Sequence, residues 1–216
     1  LAMDSIEFNF TGKAAHASAY PQLGINALDA VQLMFAGVNA LRQHMQSDAR
    51  VAGIVTKGGV ACNIVPDQAS CRFYIRAAKR SYLKELTEKI INCAKGAALM
   101  TGATLEYHNF ENSYDELIYH EGLRSLLRKH LEDLGITSFV EEDAQASGSS
   151  DIGNVSQVCP CVYCEIDTGA APKVYAHQAD FLDYVHGENA RFTLHTAAKA
   201  MALTALDVFL DPTIVK

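Results

Sequence analysis

Residues 4–45, DSIEFNFTGKAAHASAYPQLGINALDAVQLMFAGVNALRQHM, change hydrophobic period once, and that change sets the fold. In DSIEFNF, residues 4–10, Ile6, Phe8 and Phe10 alternate with Ser5, Glu7 and Asn9. A period of two predicts a strand with one face buried. From Asn26 to Met45 the positions Ala27, Val31, Met34, Val38, Leu41 and Met45 recur three or four apart. That spacing predicts an amphipathic helix. Between strand and helix lies a loop of small residues that carries His16 and Pro21.

Outward from this unit the alternation continues. VAGIVT at 51–56 predicts a second strand and KGG at 57–59 a turn. Residues 69–76 predict a third strand, with Ala69, Cys71, Phe73 and Ile75 inward and Ser70, Arg72, Tyr74 and Arg76 on the opposite face. A helix over about 81–100 carries the stripe Leu83, Leu86, Ile90, Ala94 and Ala97, and TLEYHNF at 104–110 closes the set. The order β-α-β-β-α-β packs as two layers, four strands with both helices on one face. Such an α+β sheet leaves its second face and one edge free.

After about residue 113 the pattern restarts. Leu123, Leu127, His130 and Leu134 mark a third helix that ends near Gly135. EEDAQASGSSDIGNVS, 141–156, reads as loop, and VCPCVYCEI, 158–166, as a strand of buried type. A last helix from Glu188 to Leu210 places Leu194, Ala198, Met201, Ala205 and Val208 on one side. These elements include too few strands for a core of their own. Position 1 is not Met and a strand begins at once. The expectation is a fragment whose remaining strands lie upstream.

The composition, 49% hydrophobic and 20% charged over 216 residues, is that of a globular chain. A net charge of -7 and a pI near 5.6 provide no basic stripe for a phosphate backbone, so no nucleic-acid partner is expected. No apolar run reaches the roughly 18 residues of a membrane helix, and LAMDSIEFNF lacks the features of a signal peptide. The six cysteines are not needed as disulfides in a chain of this size. The CPCVYC cluster raises a zinc site, but C-x-C-x-x-C has no fourth ligand nearby, and buried or half-buried thiols on a core strand are the preferred reading. A reducing, cytoplasmic setting is expected.

Several positions are candidates for chemistry. His16 is either a surface histidine or a donor to a developing negative charge. Asn63, within GGVACNIVPD, is either a solvated turn residue or an amide that reaches a substrate carbonyl. Arg76 is either a rim charge or a bidentate carboxylate clamp. ASGSSDIGNVS, with Gly148 and Asp151, is either a flexible turn with a helix cap or a set of backbone N–H groups for an anion. It lacks phosphate-loop spacing. His177 stands nine residues before His186, too far for a helical metal pair, and no complete metal site or nucleophile elbow is present.

Taken together, GKAAHASAYPQLGINALDA, GGVACNIVPD, FYIRA, GSSDIGNVS and AHQADF resemble the M20 metallopeptidase and amidohydrolase family, in its aminoacylase-1-like or aminobenzoyl-glutamate hydrolase-like branch. The resemblance implies a lid and dimerisation domain over residues 1–113. Residues 114–216 would then be the C-terminal part of a zinc-peptidase-like α/β catalytic domain. It implies two divalent metal ions, zinc in most members, in the intact enzyme, and none held by this chain alone. By the same resemblance His16 acts across a homodimer on the tetrahedral intermediate. Asn63, Arg76, Gly148 and Asp151 line the substrate, Arg76 holding its carboxylate, and His177 is the last metal ligand. The other metal ligands and the general-base glutamate would lie upstream of Leu1. The implied reaction is metal-assisted hydrolysis of a small N-acyl amino acid or dipeptide. A non-catalytic lid or peptide-binding module, and a regulatory protein with a structural metal at CPCVYC, are the competing readings.

Overall fold

The computed structural model describes residues 1–140, 148–169, 173–174 and 177–216. Its first compact unit comprises Leu1–Leu117 together with the described part of Glu142–Asn154. Four strands, β1 (Ala2–Thr11), β2 (Arg50–Lys57), β3 (Gln68–Ala77) and β4 (Thr104–Asn109), alternate with helices α1 (Ala27–Leu41) and α2 (Arg80–Thr101). The sheet order is β2-β3-β1-β4, and every neighbouring pair is antiparallel. Met3 stands opposite Arg76 and Thr11 opposite Gln68, so the start of β1 lies beside the end of β3.

The expected alternation is realised. Ile6, Phe8, Phe10, Ala69, Cys71, Phe73 and Ile75 are buried in one cluster with Val31, Met34 and Val38 of α1 and Leu83, Leu86 and Ile90 of α2. Each large side chain withdrawn from water there contributes about 1.5–3 kcal/mol. Asn26 starts α1 by accepting the N–H groups of Leu28 at 2.9 Å and Asp29 at 3.3 Å. Gly102, at φ 77°, ends α2 in the left-handed conformation a side chain disfavours. Met45 packs on the core from beyond a 3-10 turn, Arg42–His44, because α1 itself stops at Leu41.

The outer face of β1 is less open than alternation predicts. Ser5 of that face is buried, and so is Asp4, a polar residue on the helix-facing side. Ser5 Oγ donates to the Glu111 carbonyl at 3.2 Å and accepts its N–H at 3.0 Å. Asp4 accepts from Arg80 at 2.6 Å, Thr87 at 2.9 Å and Ser113 at 2.6 Å. The segment after β4 folds back over this end of the sheet, with Met3 and Tyr114 exchanging backbone hydrogen bonds at 2.9 Å.

The second unit, Ile118–Glu141 and Val155–Lys216, contains α3 (Glu121–Asp133) and α5 (Gly187–Leu210), while the short α4 (Ile152–Ser156) spans the division. Two expectations fail here. VCPCVYCEI forms no strand: no neighbouring strand among the described residues supplies hydrogen bonds, and Cys159 and Cys164 are exposed while Cys161 is half-buried. The stripe expected inside α5 faces outward, with Leu194 67% and Met201 60% exposed. The buried residues of α5 are Thr196, Ala200 and Thr204. Ala200 packs with Leu127 and Leu131 of α3, and the small i, i+4 row permits that close approach. Of the expected 141–156 loop, 141–147 lies outside the described residues and 152–156 is helical.

Candidate functional site

The loop after β1 is fastened at its base and along its length. Gly12 donates to the Asp67 carbonyl at 2.8 Å, and any Cβ at Gly12 would run into the Ile25 carbonyl oxygen. Lys13 and Ile25 exchange backbone hydrogen bonds at 2.9 Å. Further out, Ala17 N–H donates to the Asn63 carbonyl at 3.0 Å and Val65 N–H to the Ala15 carbonyl at 2.9 Å. This short ladder lays the His16 loop beside the Asn63 loop, and both residues are exposed. His16 Nδ1 accepts the backbone N–H groups of Ser18 at 3.3 Å and Ala19 at 3.2 Å. A nitrogen that accepts carries no proton, so the neutral ring holds its proton on Nε2 and can donate outward.

Arg76 stands at the other end of the sheet. From Gln68, beside the two loops, to Arg76 the chain climbs eight strand residues, about 26 Å. The Arg76 Nε lies 3.4 Å from the thioether of Met3, and the guanidinium lies 5.4 Å from the centroid of the Tyr74 ring. No carboxylate pairs with it among the described residues. Arg72, earlier on the same face of β3, is the opposite case. It pairs with Glu7 at 2.9 Å and lies over Phe110 at 4.8 Å. Tyr74 and Phe110 pack between the two guanidiniums with centroids 5.5 Å apart. Tyr74 Oη donates to Glu111 Oε1 at 2.7 Å, a bond that raises the tyrosine pKa by favouring the protonated phenol. The shared face of Tyr74 and Arg76 is legible in the sequence. The arrival of Phe110 and Glu111 is not, because it depends on the register of β4 against β1.

Gly148 belongs to the first unit, where its carbonyl accepts from the Leu1 nitrogen at 2.7 Å. Asp151 is exposed, and Ser150 Oγ, not the aspartate, accepts the Ile152 N–H at the start of α4. Asn154 ties this segment down by accepting from Asp115 N–H at 2.9 Å and donating to the Ser113 carbonyl at 3.0 Å. His177 belongs to the second unit, is exposed, and is the one non-glycine residue with a positive φ, 69°, among the described residues. Such backbone costs about 1–3 kcal/mol and tends to persist where a side chain must be aimed. The structure therefore brings His16 and Asn63 together and sets Arg76 apart from them.

Among the described residues no group of three or more His, Cys, Asp or Glu side chains could hold a metal ion. A zinc ion takes three or four protein ligands, so His177 by itself does not make a metal site. No helix among the described residues is long and apolar enough to cross a membrane.

Residues 3–99 match the peptidase dimerisation domain of the M20 group. The chain is 37% identical over its whole length to the mouse Xaa-Arg dipeptidase, covering 50% of that protein, and 34% identical to the human Xaa-Arg dipeptidase, covering 49%. It is 34% identical over 66% of its length to a subunit of the p-aminobenzoyl-glutamate hydrolase of Escherichia coli, covering 30% of that protein. The chain thus spans about half the length of the first two relatives or less. Among solved structures, an aminobenzoyl-glutamate utilization protein from Klebsiella pneumoniae superposes with a TM-score of 0.59 over 71% of this chain and 39% of its own, at 24% identity. A hydantoinase/carbamoylase family amidase from Burkholderia vietnamiensis superposes at 0.65 over 94% of this chain and 47% of its own, at 14% identity. Both share its mixed α/β fold. With a match to the peptidase dimerisation domain, and with relatives at 37% and 34% identity aligned over 100% and 98% of this chain, the chain belongs to the M20 peptidase and amidohydrolase family.

Proposed function

We propose that this chain is the lid and C-terminal part of a dimeric hydrolase that cleaves the amide bond of a small N-acyl amino acid or dipeptide with a free carboxylate. The lid is residues 1–113, and residues 114–216 join a catalytic domain completed by sequence outside the chain. Alone, the 216 residues do not turn substrate over. His177 would join metal ligands from outside the chain, and a divalent ion, zinc in this reading, would supply Lewis-acid chemistry when bound.

The observation that carries this reading is the separation along β3. A small dipeptide cannot touch both His16 and Arg76 of one copy across about 26 Å of strand. Two copies can do so, if His16 and Asn63 of one reach the substrate held by Arg76 of the other. Arg76 suits the carboxylate because its guanidinium is half-buried and lacks an acidic partner among the described residues. His16, locked as the Nε2–H donor, suits the oxygen that gains charge as the carbonyl is attacked. Asn63 offers a second donor from the same edge. Gly148 and Asp151 are proposed to line the site near the Arg76 end, since their segment is held beside the start of β1. The relatives' names leave the C-terminal residue open: two act on Xaa-Arg and one on an aminobenzoyl-glutamate.

The test compares alanyl-leucine with its C-terminal amide on the full-length hydrolase and on Arg76→Ala. Wild type should prefer the free acid by about 100-fold, the worth of a charge-assisted bidentate pair. Arg76→Ala should lose that preference and treat both substrates alike. Equal handling of acid and amide by the wild type would sink the carboxylate role.

A further inference from the structure

Two opposite charges on the open face of the sheet are held apart by one tyrosine, and neither has a counter-ion among the described residues. Arg76 contacts the Met3 thioether and the Tyr74 ring. The carboxylate of Glu111 contacts the Tyr74 hydroxyl. The neighbouring acids are already paired: Glu7 takes Arg72 at 2.9 Å and His108 at 3.5 Å, and Asp4 takes Arg80 at 2.6 Å. Glu111 is also fixed in place. Its backbone N–H and carbonyl are both bonded to the fully buried Ser5, and Phe110 beside it packs on Tyr74. Arg76 is held by the ring of the same tyrosine.

We infer that Glu111, positioned by Tyr74, is the specificity-determining residue that selects a cationic C-terminal residue in the substrate whose carboxylate Arg76 holds. The inference rests on the carboxylate role proposed for Arg76 and names the substrate class of that same site. A lysine or arginine C-terminal residue carries an anion and a cation separated by a flexible aliphatic stem of three or four carbons. Arg76 and Glu111 present the complementary cation and anion, separated by the length of one phenol ring and its contacts. The Tyr74 ring, with Phe110 packed on it at 5.5 Å, makes an apolar spacer between the two charges, along whose edge that stem can run. A C-terminal glutamate would instead place its second carboxylate against Glu111 and be rejected by like charge. Tyr74 keeps its proton because it donates to Glu111, which leaves the second carboxylate oxygen ready for a ligand cation.

The experiment measures kcat/KM of the full-length hydrolase on alanyl-lysine, alanyl-norleucine and alanyl-glutamate. Norleucine keeps the length of the lysine stem and lacks its charge. Wild type should favour alanyl-lysine over alanyl-norleucine by about tenfold or more, the scale of one charge-assisted hydrogen bond. Glu111→Gln keeps an acceptor for Tyr74 and should bring that ratio close to one. Glu111→Lys should raise alanyl-glutamate above alanyl-lysine, a gain that misfolding cannot produce. A ratio unchanged in Glu111→Gln, together with no gain in Glu111→Lys, would overturn the inference while leaving the hydrolase reading intact. Turnover by the wild type of none of the three dipeptides, nor of the N-acetyl derivatives of the same three amino acids, would overturn both.

Discussion

The two units of this chain bury their apolar residues to different degrees. In the first, α1, α2 and one face of the sheet enclose Phe8, Phe10, Phe73, Ile75, Leu83 and Leu86, each at most 1% exposed. In the second, the buried cluster is Leu127, Leu131 and Ala200, while α5 leaves Phe192, Leu194, Met201, Leu206, Phe209 and Leu210 more than half exposed. The lesson concerns where a hydrophobic pattern finds its partner. In the first unit the stripes of β1, β3, α1 and α2 meet one another within the same stretch of chain, while β2, at the sheet edge, buries Val51 and leaves Ile54 and Val55 exposed. In the second the stripe is present and its partner surface is not among the described residues.

Substitutions in the two units should differ in cost accordingly. The largest effect belongs to Phe73→Ala, which removes a ring packed on Phe8 at 6.1 Å and Phe35 at 4.8 Å. Urea unfolding of the 216-residue chain should show a loss of about 3–5 kcal/mol. Asp4→Ala comes next, at about 2–3 kcal/mol, because it removes the acceptor shared by Arg80, Thr87 and Ser113, of which Arg80 keeps Asp115 at 3.5 Å and Ser113 keeps Asn109 at 3.2 Å.

A pH effect of intermediate size comes from Cys71. Burial pushes its thiol up from 9.0 to about 12. Between those values the unfolded thiol has lost its proton and the folded one has not, so stability falls as pH rises through that window. The slope is at most about 1.4 kcal/mol per pH unit, and Cys71→Ala should remove it. In the native protein Cys71 should also resist a thiol reagent that labels the exposed Cys62, Cys159 and Cys164 within the mixing time.

Asn26→Ala should cost about 1 kcal/mol by uncapping α1. The smallest effect is expected from Leu194→Gln on α5, within about 0.5 kcal/mol in the 216-residue chain. A loss as large as that of Phe73→Ala would show that α5 already has a partner, and the contrast between the units would fall.

What the sequence disclosed follows the same division. The strands and helices of the first unit are legible because a two-layer sandwich gives each element one wet and one dry face, and period two or 3.6 records it. The VCPCVYCEI segment and the α5 stripe depart from expectation for one reason. Apolar residues report a capacity for burial, and burial needs a neighbour that the local pattern does not name. The candidate site divides likewise. His16, Asn63 and Arg76 stand in recognisable motifs, and the shared face of Tyr74 and Arg76 follows from alternation. The ties between Glu111 and Ser5, and the opposition of the His16 and Arg76 ends of the sheet, come from strand order and register, which no single stretch encodes.

That opposition is the centre of the account, and mixing two inactive full-length variants tests it most directly. His16→Ala and Arg76→Ala are each expected to hydrolyse substrate poorly as homodimers. Unfolded and refolded together in equal amounts, half of the dimers should be mixed, each with one site that has both residues intact. Activity should then return to about a quarter of wild type. A mixture no more active than its components, with mixed dimers shown to have formed, would mean that one copy supplies both residues and would contradict the account.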